Sequence, residues 1–316
     1  MRGTSRGRPP NYATLDSELL KVLRGKPPPR KSVQQGIADL DRRIARDAAK
    51  RQARFNEENK LLAKVRAPLI DIVRKDQRAV QAMHQIEKLH KRRKLKLPLP
   101  TFRRRQPRVR FGSLELALVP PYNWGYGNWG TGKSGALNSA ANANGDPNAG
   151  LLSVGTDGNA WAAAGVGSYF YPAGYTGSAT GGGNQSVWFT ALLGDLSYNW
   201  YDQSTGLNAS SSGYLNLFLQ PYDNAGNLVT EDVQEMQTQL WQNSTSGYDS
   251  NSNAGGPVFT SVGPMNFTTP LLNDFFYLLW ATVNVQSWAA NGLLAWSNAT
   301  IQLQAVVDWI IVNQGN

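Results

Sequence analysis

The distribution of charge divides this chain into two parts that differ in kind. Of its 32 Lys and Arg residues, 31 lie in residues 1–110 together with 10 Asp and Glu, so this part carries a net charge of +21. Residues 111–316 hold Lys133 and 12 acidic residues, for a net charge of −11, and they contain all ten Trp. A strongly basic segment with few aromatic residues buries little apolar surface, whereas the second part is long enough for a large core. The sequence therefore predicts a basic N-terminal arm followed by a separate globular domain.

The chain contains no Cys, and both of its His residues, His84 and His90, lie in the basic part. Disulfides, thiol catalysis and Cys-ligated metals are therefore excluded. The first residues lack the apolar stretch of a secretory signal, and the sequence has no run of about 20 apolar residues that would span a membrane. We expect a soluble protein with no signal peptide and no membrane span.

Residues 1–31 are rich in Arg, Lys, Gly and Pro, a composition typical of a disordered arm. A short amphipathic stretch at 15–23 interrupts this arm, and Gly25 provides a stop signal. A helix this short is marginal by itself, but between proline-rich linkers it is suited to docking in the groove of another assembly protein. The alternative is a nascent helix without a partner. The residues predicted to dock are Leu15, Leu19, Leu20 and Leu23.

Residues 32–96 have the period of a charged helical segment. Apolar residues recur at intervals of three and four, which predicts a narrow apolar seam. We expect two helices, 32–66 and 68–95, that separate at Pro68 and are either paired in a coiled coil or clamped onto another surface. The seam residues are Val33, Ile37, Leu40, Ile44, Leu62, Val65, Leu69, Ile72, Met83 and Ile86.

Residues 97–110 form a proline-rich basic linker and continue a run of positive charge that begins at Lys91. Such density favours contact with nucleic acid through its phosphates, or with another anionic assembly partner, over a solvated tether. No motif that reads bases is present, so this contact would tolerate any base sequence and weaken in salt. The residues predicted to make it are Lys91, Arg92, Arg93, Lys94, Lys96, Arg103, Arg104, Arg105, Arg108 and Arg110.

Residues 111–316 have the pattern of an all-β domain. We predict a β-sandwich of about eight strands, jelly-roll-like, with a barrel as the alternative. Long loops rich in Gly, Asn, Ser, Thr and Ala are expected at 136–150, 172–186, 204–212 and 243–256. The predicted strands are 113–119, 161–170, 187–201, 213–222, 228–241, 257–262, 275–288 and 298–312.

Two local patterns in this domain are especially clear. Residues 223–227, Asp-Asn-Ala-Gly-Asn, combine strong turn formers between two predicted strands. In the last strand, apolar residues alternate with polar ones, which predicts that one set faces the core. That set is Ile301, Leu303, Ala305, Val307, Trp309 and Ile311.

Residues 127–134, Gly-Asn-Trp-Gly-Thr-Gly-Lys-Ser, match the pattern of a phosphate-binding loop. Such loops need a buried strand directly before them and a helix directly after them. Here Pro120 and Pro121 separate the motif from the preceding strand, and the residues that follow are poor helix formers. We therefore interpret the match as accidental.

The domain after residue 110 is poorly equipped for catalysis. It has no His or Cys, which excludes a nucleophile paired with a histidine base. Glu231, Asp232 and Glu235 form its acid cluster, and we interpret them as a solvated strand face or turn. The oxygen-rich stretches 142–146 and 157–159 are explained by turn formation rather than by Ca²⁺ binding. We predict that the chain is not an enzyme and has no catalytic residues, no metal site and no cofactor.

Four aromatic residues lie close together at the start of the predicted β-domain. Exposed Trp and Tyr on a polar β scaffold are typical of glycan-binding faces and protein interfaces. The alternative is that these rings form core and intersubunit contacts. The candidate glycan or receptor face comprises Tyr122, Trp124, Tyr126 and Trp129.

An Arg- and Lys-rich arm followed by a Cys-free β-sandwich with long polar loops resembles the layout of virion structural proteins. The resemblance implies a location in a virion or another large assembly, with self-association into a homo-oligomer or shell. In one version the arm contacts nucleic acid and the sandwich forms the shell. In the other the chain is an anchored fibre or attachment protein whose β-head binds a glycan or receptor. A carbohydrate-active enzyme is a lesser alternative.

Overall fold

The computed structural model describes residues 27–91, 115–132, 139–171, 187–205, 207–245, 248–253, 260–266, 275–292 and 295–314. These residues form two helices, α1 (Arg30–Lys75) and α2 (Gln77–Lys91), and thirteen strands. A short 3₁₀ helix spans Thr230–Asp232. The strands are β1 (Glu115–Leu118), β2 (Trp124–Thr131), β3 (Ala140–Asp146), β4 (Leu151–Asp157), β5 (Ala160–Phe170), β6 (Val187–Thr205), β7 (Ala209–Tyr222), β8 (Gln234–Thr245), β9 (Tyr248–Asn253), β10 (Thr260–Asn266), β11 (Phe276–Trp288), β12 (Asn291–Gly292) and β13 (Ala295–Gln314).

The strands form two antiparallel sheets with an apolar core between them. Sheet A has the order β10-β6-β13-β4-β3, with β1 and β12 paired to β13 and β9 paired to β6. Sheet B has the order β2-β5-β11-β7-β8. Both sheets contribute inward-facing residues to one cluster, among them Val154 and Leu303 from sheet A and Leu217, Leu279 and Val283 from sheet B. The prediction of a mainly β, sandwich-like domain preceded by a helix is confirmed.

Each of the eight predicted strand segments contains a strand, but the structure has further strands in regions expected to be loops. Strands β3 and β9 and the start of β7 lie in three of the predicted loops, and β2 coincides with the aromatic cluster. Gly, Asn and Ala have low β-propensity, so the sequence of β3 gives little local signal. Pairing overrides that weakness, because β3 pairs with β4 along its whole length and β4 pairs in turn with β13.

The predicted turn at 223–227 is confirmed. Gly226 has a φ of +78°, a left-handed conformation that glycine adopts without a steric penalty. The backbone amide of Asn227 donates to Oδ1 of Asp223 at 2.8 Å. This bond and the neighbouring backbone bonds stabilise the charged carboxylate and hold the pKa of Asp223 below its usual value.

The prediction of which β13 side chains face the core is right for the first half of the strand and wrong for the second half. Ile301, Leu303 and Val307 are buried in the core between the sheets. The register of β13 against β6 then shifts at 306–307 and again at 307–309. A bulge inserts an extra residue and reverses which side chains face the core. Beyond it the core residues are Ile310 and Val312 rather than the predicted Trp309 and Ile311.

The two sheets come together closely at one edge, where β2 of sheet B lies against β3 of sheet A. A Cβ atom on Gly125 would collide with the carbonyl oxygen of Gly145, and one on Gly145 would collide with that of Gly165. A Cβ on Gly127 would lie 2.8 Å from the carbonyl oxygen of Ala143. These glycines therefore permit a close approach of backbones, which a side chain would prevent.

Helix α1 runs for 46 residues and includes Pro68, so the predicted break at Pro68 is wrong. A proline removes one backbone hydrogen bond and can bend a helix without ending it. Pro68 is exposed, so water can reach the carbonyl group that it leaves unpaired. The break lies instead at Asp76, whose Oδ1 accepts from the amides of Arg78 at 2.9 Å and Ala79 at 3.3 Å and thereby caps α2.

Candidate assembly interface

The first half of α1 packs on the outer face of sheet B. Val33, Leu40 and Ile44 are buried in a second apolar cluster, separate from the core between the sheets. Of the two predicted arrangements, a coiled coil or a helix clamped onto another surface, residues 33–55 have the second. The surface that they contact belongs to the same chain. The helical segment and the β-domain, which are predicted as separate units, therefore share a packed apolar contact. The sheet residues in this cluster are Tyr126, Ala163, Tyr169, Phe218, Tyr222, Phe276, Leu278 and Trp280.

Buried polar groups fix the position of the helix on this apolar surface. The amide nitrogen of Gln220 donates to the carbonyl oxygen of Gly36 at 2.8 Å and to Oδ2 of Asp39 at 3.3 Å. The indole nitrogen of Trp280 donates to Oε1 of Gln220 at 3.0 Å. Arg43 donates to Asp39 at 2.7 Å. Because buried polar groups are costly unless they are paired, these contacts favour one register of helix on sheet.

A second polar contact joins Asp41 to the aromatic strand β2. The hydroxyl of Tyr126 and the amide nitrogen of Asn128 both donate to Oδ1 of Asp41 at 2.8 Å. Burial, together with the hydrogen bond to Asp41 and its negative charge, raises the pKa of Tyr126 far above its usual value of 10.0. The tyrosine therefore stays neutral and continues to donate to Asp41 well into the alkaline range.

Arg51 makes a third set of contacts further along the helix. Its guanidinium lies 4.1 Å from the ring centroid of Tyr214, donates to the hydroxyl of that residue, and donates to Gln237 at 3.0 Å. It also donates to Asp47 at 2.9 Å, and Gln286 donates to the same carboxylate at 3.3 Å. A planar guanidinium that combines ring stacking with several hydrogen bonds is suited to such a site.

The two ends of the docked segment are also attached to loops of the sandwich. At one end the hydroxyl of Ser32 donates to the carbonyl oxygen of Gly226 at 2.6 Å, in the turn that follows β7. At the other end Oδ1 of Asn59 accepts from the backbone amide of Asn208 at 2.8 Å, just before β7. The helix is therefore held from residue 32 to residue 59, and the chain beyond Asn59 extends past this attachment.

The exposed surfaces of α1 have two different characters. Over the docked half, cations recur on the solvent side at Arg42, Arg46, Lys50 and Arg54. Beyond Asn59 the exposed side chains include large aliphatic ones. Leu61, Val65, Leu69 and Ile72 are 61%, 76%, 64% and 67% exposed. Of the seam predicted from the sequence, Val33, Leu40 and Ile44 are thus buried against sheet B, whereas Val65, Leu69 and Ile72 are open to solvent.

The four aromatic residues predicted as a glycan or receptor face have different environments. Tyr122 and Tyr126 are buried, and Tyr122 donates to the carbonyl oxygen of Val307 at 3.1 Å. Trp124 is half-buried beneath α1, with its ring 6.3 Å from that of Trp280. Trp129 is 53% exposed. The four rings therefore do not share one exposed face.

Five of the eight residues of the phosphate-loop pattern lie in a strand. Positions 127–131 belong to β2, which pairs with β5. Lys133 and Ser134 lie outside the described residues. Strand geometry does not present successive backbone amides to one anion as a strand–loop–helix unit does. The interpretation of this match as accidental agrees with that placement.

The structure describes only some of the other residues that are predicted to contact a partner. Lys91 ends α2. The remaining basic residues from Arg92 to Arg110 and the four leucines of the docking stretch 15–23 lie outside the described residues. The acid cluster is at the surface, with Glu231 and Asp232 in the 3₁₀ helix and Glu235 on β8.

The helix is positioned by Asp39, Asp41, Gln220 and Tyr222, which no sequence pattern distinguishes from other polar and aromatic residues. Helical spacing of Val33, Leu40 and Ile44 was the available signal, and it identified the buried face of α1 but not what that face contacts. Within the described ranges, no group of three or more His, Asp or Glu is placed to hold a metal ion. In the same ranges, no helix has the length and apolar character needed to cross a membrane. No family model, curated protein or solved structure matches the chain.

Proposed function

We propose that this chain is a non-enzymatic, virion-type structural protein. In this proposal the β-sandwich forms the shell or outer surface of a large assembly, and the basic segments contact nucleic acid or another anionic assembly partner. The observation that carries the proposal is the order of the strands in the two sheets.

The strand order supports a jelly roll. Eight strands, taken in chain order, are β4, β5, β6, β7, β8, β10, β11 and β13. If they are numbered one to eight, sheet A reads 1-8-3-6 and sheet B reads 2-7-4-5. This is the order obtained when four antiparallel pairs are wrapped around one core, and β3 and β2 then extend one edge of each sheet. Jelly rolls are the architecture of many viral capsid proteins, and also of lectins and cupins.

The charge distribution favours the capsid member of that group. A fold alone does not determine a function. The +21 charge of residues 1–110 and the −11 charge of residues 111–316 place cations and anions on different parts of one chain. Such a division suits a protein that neutralises phosphates on one side of a shell and presents its sandwich on the other.

Electron microscopy of the purified full-length protein, with the ratio of absorbance at 260 and 280 nm read on the same sample, tests this proposal. We expect closed particles with a high ratio. Discrete oligomers free of nucleic acid would overturn it.

A binding measurement tests the basic segment directly. Replacing Arg103, Arg104, Arg105, Arg108 and Arg110 by Gln should weaken binding to duplex DNA. The salt slope of log K should fall by roughly 0.9 for each phosphate that the variant no longer neutralises. The matched control replaces Arg42, Arg46, Lys50 and Arg54 on the described helix. An equal weakening per cation in both variants would contradict a dedicated role for residues 91–110.

A second candidate, the anchored fibre or attachment protein, is favoured by the exposed aliphatic residues of α1 beyond Asn59. Helical segments of this kind suit a stalk. In this alternative the sandwich is an oligomeric head that binds a glycan or receptor, and the exposed ring of Trp129 is its candidate stacking residue. Elongated oligomers with a stalk and without nucleic acid in the same microscopy experiment would favour this alternative.

A further inference from the structure

The part of α1 beyond Asn59 carries an apolar stripe that no described element covers. Leu61, Val65, Leu69 and Ile72 are each more than half exposed. Single exposed aliphatic residues are ordinary, but a contiguous apolar stripe with charged flanks marks an interaction surface. We propose that this stripe joins copies of the chain in a parallel coiled coil of three or more helices. This inference stands on the helix alone and does not depend on a shell or on nucleic acid.

The spacing of the stripe is that of a helix that pairs with other helices. Leu62, Val65, Leu69 and Ile72 are separated by three, four and three residues, the pattern of alternating a and d positions in a heptad repeat. A surface that lies on lipid needs a broader apolar face than this narrow seam. The outer face of sheet B is already covered by residues 32–59 of the same helix. Leu62 is half-buried, and it lies beside the exposed residues of the stripe.

The identity of the seam residues favours more than two copies. Leucine occupies the a positions, 62 and 69, and β-branched residues occupy the d positions, 65 and 72. That assignment shifts coiled coils from dimers towards trimers and tetramers. Leu61 and Val73 widen the seam at its flanking positions, as larger bundles require.

The same phase continues in the sequence beyond the break at Asp76. Ala79, Met83 and Ile86 take the next apolar positions of the repeat. Asp76 itself takes an a position, but its carboxylate caps α2 and is bonded to backbone amides of the same chain. Its presence in the seam therefore has a local explanation.

The charges around the stripe favour a second copy over an oppositely charged partner. In a parallel coil each g position faces the e position of the next heptad in a neighbouring helix. Here none of these pairs combines like charges, and the cations Lys60, Lys64, Arg74 and Arg78 lie on the side away from the seam. Of the eight positions in these pairs only Arg66, Lys75 and Glu87 are charged, so the edges of the seam do not match a strongly acidic partner helix. The facing pairs are Leu61 with Arg66, Pro68 with Val73, Lys75 with Val80, and Ala82 with Glu87.

The docked half of α1 accounts for the parallel direction. Residues 32–59 are fixed on sheet B in every copy, so copies related by a rotation axis that runs along the helices present their seams in the same direction. Closed rotational symmetry with three or more copies then gives a parallel bundle.

Site-specific cross-linking of the full-length protein tests the proposal, because the chain has no native Cys. Val65→Cys places a thiol in the seam, and Ala67→Cys places one on the outer side two residues away. Both positions are exposed in the single chain. With a short bis-maleimide, Val65→Cys should give interchain cross-linked species on a denaturing gel, whereas Ala67→Cys should give at least tenfold less.

Equal cross-linking of the two variants, or none in either, would overturn the coiled coil. Near-ultraviolet circular dichroism, which reports the packing of the Trp residues, verifies that both variants are folded. The result is independent of the shell proposal. Particles without a cross-link at position 65 would support the shell proposal and refute the coiled coil. A cross-link at position 65 without particles would support the coiled coil and refute the shell proposal.

Discussion

Gly36 is the residue at which α1 comes closest to sheet B. A Cβ atom at this position would lie 2.5 Å from Oε1 of Gln220 and 2.6 Å from the hydroxyl of Tyr222. Gln220 cannot move away freely, because it already bonds to Trp280 and to the helix backbone. The close approach therefore explains a glycine in a helix interior, where glycine ordinarily costs about 1 kcal/mol.

We predict that Gly36→Ala lowers the free energy of unfolding by about 1–2 kcal/mol. The substitution gains about 1 kcal/mol of helix propensity, but displacing Gln220 breaks buried hydrogen bonds that cost more. Urea unfolding monitored by Trp fluorescence measures the change. Gln34→Ala, on the exposed side of the same turn, serves as the control and should be nearly neutral. A more stable Gly36→Ala protein would contradict this account of the packing.

The alkaline stability of the protein should depend on Tyr126. Its pKa in the folded state is raised above the unfolded value of 10.0 by burial and by Asp41. The stabilising effect is therefore fully present below pH 10 and is lost as the pH rises from there towards the folded pKa. Each such group lowers the free energy of unfolding by about 1.4 kcal/mol per pH unit in that range.

Replacing Tyr126 by Phe removes this titration. We expect Tyr126→Phe to be less stable than the original protein at pH 8 by about 1 kcal/mol, because Asp41 loses a hydrogen-bond donor. Its stability should then fall less steeply between pH 10 and pH 11. Urea unfolding at each pH measures both effects, and parallel pH profiles for the two proteins would contradict the assignment.

At the scale of elements, α1 is two segments with different environments in one continuous helix. Leu40 is fully buried against sheet B, whereas Lys64 is exposed beyond the docked half. Leu40→Ala should lower the free energy of unfolding by about 2–5 kcal/mol, the range for a truncated core leucine. Lys64→Ala should change it by less than about 0.5 kcal/mol. Thermal unfolding measures both changes. If the two substitutions have equal effects, the docked half of α1 does not unfold cooperatively with the β-domain.

Most elements could be predicted from local pattern, and the failures have identifiable causes. Strands with β-branched and aromatic residues gave a clear signal, whereas β3 is built from Ala, Asn, Gly and Asp and forms because β4 pairs with it. The alternation in β13 predicts the wrong buried residues after residue 307, because a bulge leaves no mark in an apolar–polar pattern. Pro68 predicts a helix end because proline is a strong breaker, but α1 continues through it to Lys75.

At the scale of the whole molecule, α1 covers an outer sheet face that is itself apolar. We predict that residues 115–316 expressed without the helix bind a hydrophobic dye and aggregate, because aromatic residues such as Phe218, Phe276 and Trp280 lose their cover. A peptide spanning 30–59 added in trans should reduce dye binding. The same peptide with Leu40→Asp and Ile44→Asp should not. A soluble, monomeric and dye-free 115–316 fragment would contradict the prediction.

The sequence by itself determined the mainly β class of residues 111–316, the concentration of basic residues in 1–110 and the buried face of the first half of α1. Composition, charge and apolar spacing are local properties, and they can be read without knowing what lies opposite. Tertiary structure alone decided that Val33, Leu40 and Ile44 contact sheet B of the same chain, and that Tyr122 and Tyr126 are buried rather than displayed. The reason is physical: an apolar face specifies that it will be covered, but only the pairing of distant strands creates the surface that covers it.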